Sequence, residues 1–137
     1  MDILENGLHS LKNAIHNLKQ LETAPESDRE YIIKDAIIGI HHSTETLFKY
    51  LVKEKQELLI FKDLNDYFTK EMKYKLNNNG ENSKSYQGNT ITYMEAIDRA
   101  AVLNDLNISK IDYGTFDKLN KLRNSITHHE YDLTEEL

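Results

Sequence analysis

The chain has 137 residues, 39% of them hydrophobic and 29% charged, and contains neither cysteine nor tryptophan. That length fits one domain, residues 1–137, with a core of modest size, and the missing cysteines exclude a disulfide framework or a thiolate metal site. A net charge of −6 excludes the broad, salt-driven nucleic-acid binding that a basic surface gives, so any RNA contact must be local.

Read in chain order, the pattern is helical throughout. Met1-Asp2-Ile3-Leu4-Glu5 is acidic where a signal peptide would be basic, and no apolar run approaches a membrane span. The expectation is therefore a cytoplasmic address with no membrane partner. Leu4, Leu8, Leu11, Ile15, Leu18 and Leu21 recur at spacings of four and three, which predicts a first helix over about 3–22 with this stripe buried. Pro25 interrupts the pattern, and Ser27-Asp28-Arg29-Glu30 has the form of a capping box. From there Ile33, Ile37, Ile40, Thr44, Leu47 and Leu51 predict one long helix to about residue 56, weakened locally at Gly39. Leu64, Tyr67, Phe68 and Met72 mark a shorter third helix after Asp63.

Residues 77–90 are almost purely polar and include Gly80 and Gly88, so the expectation is a flexible loop with no packed element, either solvated or a functional lid. Thr92-Tyr93-Met94-Glu95 is a second capping box, opening a helix with Ala96, Ile97, Ala100 and Leu103 inward. A last helix is expected from between Asp112 and Thr115, burying Phe116, Leu119, Leu122 and Ile126. Asp132-Leu133-Thr134-Glu135 again has the form of a helix start, which suits the N-terminal part of a longer protein. Period-two alternation is missing, so the fold class expected is all-α, an up-and-down helical bundle of four to five helices.

Chemistry concentrates in Leu122-Arg123-Asn124-Ser125-Ile126-Thr127-His128-His129. Arginine is the usual fork for phosphate oxygens, and histidine is the side chain whose proton moves most easily near neutral pH. Together they point to phosphodiester chemistry. Each group also has a plainer reading: Arg123 as a surface ion-pair partner, His41 and His42 as partly buried helix residues, and Tyr31, Tyr50, Tyr67 and Tyr74 as core or interface residues. A metal site drawn from His41, Glu45 and His129 lacks a zinc-binding spacing, so neither metal nor cofactor is expected.

A helical bundle whose last long helix carries Arg123-Asn124, three residues, then His128 resembles the HEPN superfamily. The stretch His41-His42-Ser43-Thr44-Glu45-Thr46-Leu47-Phe48-Lys49 is similar as well, with its glutamate, apolar pair and lysine. The double histidine His128-His129 resembles abortive-infection members in particular. The resemblance implies a metal-independent endoribonuclease of toxin–antitoxin or phage-defence systems, with RNA as substrate and an antitoxin or neighbouring defence protein as partner. His128 would act as acid and base, Arg123 as charge clamp, and Asn124 as an orienting amide, with His129 the alternative histidine. Glu45 is expected to approach Arg123 and hold it in place. Two further readings share the same residues: a catalytically silent module for dimerisation or partner binding, and a nucleotide-binding regulator.

Positions five apart on an ideal helix point about 140° apart, so Arg123 and His128 of one chain do not converge. Either the helix breaks near Thr127, or two motifs meet across the twofold axis of a homodimer packed through its first and last helices.

Overall fold

The computed structural model describes residues 2–81 and 86–128. The expectations for His129 and for the helix-start pattern at 132–135 lie outside the described residues. Five α-helices follow in order, α1 (Ile3–Gln20), α2 (Glu26–Lys55), α3 (Leu64–Asn77), α4 (Tyr93–Leu103) and α5 (Lys110–His128), with a 3-10 turn at Glu57–Ile60. The architecture is an all-α helical bundle, and no helix among the described residues is long and apolar enough to cross a membrane.

Small residues set the first contact. Gly7 lies against Thr46 and Leu47, and Gly39 lies against Ala14, which makes α1 and α2 an antiparallel pair. A Cβ added to Gly39 would sit 3.2 Å from the Cβ of Ala14, so the helix weakness expected at Gly39 has a packing purpose: the two backbones approach closely there. This corrects the buried stripe read from the sequence. Gly7 and Ala14 are the buried residues of α1, whereas Leu8, Ile15 and Leu18 are 51%, 46% and 40% exposed. Leu8 and Ile15 lie roughly 80–100° around α1 from Gly7, so a seat made of the smaller side chains turns them onto a flank.

The start of α2 also differs from expectation. Pro25 occupies the cap position with φ −60° and ψ 150°, and no side chain caps the helix. The carbonyl of Pro25 accepts from the Asp28 amide at 2.9 Å, so Ser27 falls inside the first turn, where its hydroxyl no longer faces the free amides. Arg29 fastens this corner by donating to the Leu21 carbonyl at 2.8 Å. The second capping box forms as read: Thr92 accepts from the Glu95 amide and Glu95 accepts from the Thr92 amide.

The last helix begins earlier than expected, at Lys110, because the Ser109 hydroxyl accepts from the Asp112 amide at 3.0 Å. The turn before it reverses through Asp105, at φ 51°, with the Leu106 amide reaching back 2.9 Å to the Ala101 carbonyl.

Two apolar clusters flank a polar layer. Ile33, Ile37 and Leu122 form one, with Leu21, Leu119 and Ile126 against it. Val52, Ile91, Ala96 and Ala100 form the other, with Phe48, Leu51, Leu59, Ile60 and Leu103. Phe48 meets Phe116 edge-on at 5.4 Å while Ile37 meets Leu122, so α5 runs antiparallel to α2. Between these levels stand His41, Ser43 and Thr46, all buried.

Part of the 77–90 stretch is packed, contrary to expectation. The Ile91 amide donates to the Ile60 carbonyl and the Lys62 amide to the Asn89 carbonyl, each at 2.9 Å, around an isolated antiparallel bridge between Phe61 and Thr90. Tyr86 packs edge-on against Phe61 and Tyr67, and its hydroxyl donates to Asp66, which together with Lys70 holds that carboxyl below the usual range. Single apolar side chains suffice to anchor an otherwise polar segment. Of the tyrosines read as core or interface, Tyr67 joins this cluster, whereas Tyr31 is exposed.

Candidate functional site

Arg123 and Asn124 sit in the C-terminal half of α5, next to the buried Leu122. Arg123 is half-buried, Asn124 and His128 are exposed, and Arg123 Nη1 donates to Asn124 Oδ1 at 3.3 Å. The helix does not break near Thr127. Thr127 Oγ1 donates to the Arg123 carbonyl at 2.9 Å, and α5 continues to His128 in its last turn. Arg123 and His128 therefore keep the divergence of an ideal helix, one toward the bundle and one toward solvent.

The expected Glu45–Arg123 pair does not form among the described residues. Glu45 stands 3.9 Å from Lys49, in the favourable i,i+4 order, and Lys49 Nζ reaches Thr90 Oγ1 at 3.2 Å. The physical reason is the direction of α5. Asn120 meets α2 at His41, so Arg123, one turn further on, lies level with the Ile37 region, whereas Glu45 is one turn the other way along α2.

What the bundle does assemble is a polar cluster that sequence reasoning passed over. His41 is 5% exposed, its Nε2 bonds Asn120 Oδ1 at 2.9 Å, and its ring stacks on Tyr93 with centroids 4.1 Å apart and planes inclined by 15°. The Tyr93 hydroxyl and Thr44 Oγ1 are hydrogen-bonded at 2.9 Å. An amide oxygen only accepts, so Nε2 carries the imidazole proton. Burial pushes the His41 pKa down; the Asn120 bond and Glu45 oppose that, while Arg123 and His42 add to it. Burial likewise pushes the Tyr93 hydroxyl up. The available signal was a histidine at an inward position between Ile37 and Phe48, matched by an asparagine between Phe116 and Leu122. Their separation of 79 positions hid the pairing.

No group of three or more histidine, aspartate or glutamate side chains among the described residues is placed to hold a metal ion, and His41 Nε2 is already committed to Asn120. A separate cavity of about 700 Å³ is lined by Lys62, Asp63, Asn65, Tyr86, Asn89 and Arg99. Its two cations are engaged elsewhere: Lys62 pairs with Glu95 at 3.7 Å, and Arg99 donates to the carbonyls of Leu59 and Phe61 at 2.7 and 3.1 Å. Comparison of the chain with protein-family models, with curated proteins and with solved structures finds no match.

Proposed function

We propose that the chain is a metal-independent endoribonuclease of the HEPN type, with a site composed across a homodimer from Arg123 of one copy and His128 of the other. The observation that carries this reading is the divergence of the two side chains along an unbroken α5: an arginine and a histidine of the right chemistry, on one helix, that a second copy must bring together. The exposed flank of α1, Leu8 and Ile15, supplies apolar surface for that second copy. Leu21, one turn beyond Leu18, shares a cluster with Leu119 and Ile126 of α5, so the flank and the motif helix border the same core.

RNA brings its own nucleophile. His128 takes the proton of the 2′-hydroxyl, O2′ attacks phosphorus, the bond from phosphorus to O5′ breaks, the leaving oxygen takes a proton from water, and the hydroxide so formed takes the proton held by His128. The products are a 2′,3′-cyclic phosphate and a 5′-hydroxyl. Arg123 neutralises the charge that gathers on the phosphorane oxygens, and Asn124 orients the phosphate. A toxin–antitoxin or phage-defence setting, with an antitoxin or neighbouring defence protein as partner, accords with this chemistry.

The same divergence favours a second reading, a silent dimerisation module, if the copies pair without aligning the motifs. Cleavage assays separate the two. Wild type should cut RNA in the presence of chelator and fail on a 2′-deoxy substitution at the cut site. His128→Ala should lose about 10² to 10⁴ in rate, and Arg123→Ala a comparable amount. A larger loss in His129→Ala than in His128→Ala would transfer the acid–base role to His129, and no cleavage by wild type would leave the silent module.

A further inference from the structure

We propose that His41 is a positioning residue: as a neutral imidazole bonded to Asn120, it fixes the turn of α5 that carries Arg123. The inference deepens the ribonuclease reading and rests on it only for what Arg123 does once positioned.

The apolar contacts between α2 and α5, Ile33 and Ile37 with Leu122 and Phe48 with Phe116, rest on an attraction that has no preferred direction. The bond from His41 Nε2 to Asn120 Oδ1 is directional, at 2.9 Å, and lies at the level between those contacts. His41 is itself fixed, stacked at 4.1 Å on Tyr93, whose hydroxyl is tied to Thr44 back on α2. Asn120 and Arg123 are separated by one helical turn, so whatever fixes one sets the azimuth of the other.

The charged and titratable groups facing His41 are Glu45 and His42 from its own helix, Tyr93 from α4 and Arg123 from α5. A proton added at Nδ1 would place a second cation in the layer beside Arg123, with Glu45 the one carboxylate among those groups and already 3.9 Å from Lys49. The protonated ring must then draw water into the α2–α5 interface or displace Arg123. Either response loosens Arg123.

The test is a titration of the full chain followed by NMR from pH 8 to 5. It reads the His41 ring resonances together with Arg123 exchange, taken as the solvent-exchange rate of its Nε–H relative to that of a free arginine side chain at the same pH. The expected result is a His41 midpoint below 6.5, with Arg123 exchange rising several-fold at that same midpoint. Asn120→Asp, which puts a carboxylate opposite the ring, should carry the His41 midpoint upward and remove the rise in Arg123 exchange, because the protonated ring then has its partner. Arg123 exchange that stays flat while His41 titrates overturns the inference, and the wild-type titration alone decides this should the variant misfold. Equal midpoints in a protein that cuts no RNA would reject the ribonuclease reading and leave the positioning role standing. RNA cleavage with uncoupled midpoints would do the reverse.

Discussion

His41 couples the stability of this fold to pH. Its folded pKa lies below the ordinary 6.5, so the unfolded chain binds the proton more readily than the folded one. Stability from this residue is therefore complete above about pH 6.5 and is lost as pH falls from there through the folded pKa, by at most about 1.4 kcal/mol per pH unit. Denaturant unfolding at pH 7.5, 6.5 and 5.5 should show that loss, and His41→Gln should remove it. A wild-type curve independent of pH over that range would contradict the assignment. His128, exposed in the last turn of α5, should behave differently: His128→Ala should change stability by no more than about 0.5 kcal/mol, so lost cleavage in that variant would report chemistry and not folding. At this scale the sequence displayed Arg123, Asn124 and His128 because they share one short segment. It concealed His41 with Asn120, because a contact between helices far apart in the chain leaves no local pattern.

Among the elements, caps and close approaches account for what was legible. Thr92 and Glu95 satisfy each other's backbone amides as their spacing implies, and Thr92→Ala should cost about 1 kcal/mol in a thermal or denaturant melt. Ser27 to Glu30 carries the same kind of pattern without capping a helix, because Pro25 had already started one. A spacing rule reads a cap only where the preceding backbone leaves the helix start free. The α1 stripe failed for a related reason. Periodicity identified an amphipathic helix but not which edge of its apolar face would be seated, and Gly7, Ala14 and Gly39 decided that. Gly39→Ile should force α1 and α2 apart and destabilise by about 1–3 kcal/mol. Unchanged stability in that variant would mean that the close approach at Ala14 is not required.

Across the whole molecule, the flank left exposed on α1 and the split between Arg123 and His128 lead to one expectation: two chains act together. Light scattering should report twice the chain mass of 16.0 kDa, and Ile15→Glu should shift the mass toward one chain while leaving helix content intact. The measurement that bears most directly on the composite site is complementation. Arg123→Ala and His128→Ala proteins, each inactive alone, are unfolded together, refolded as an equal mixture and assayed on RNA. If one copy supplies the arginine and the other the histidine, half of the dimers are mixed and each holds one intact site, so activity should return to about a quarter of wild type. A refolded mixture of dimers as inactive as its parents would contradict a site shared between two copies.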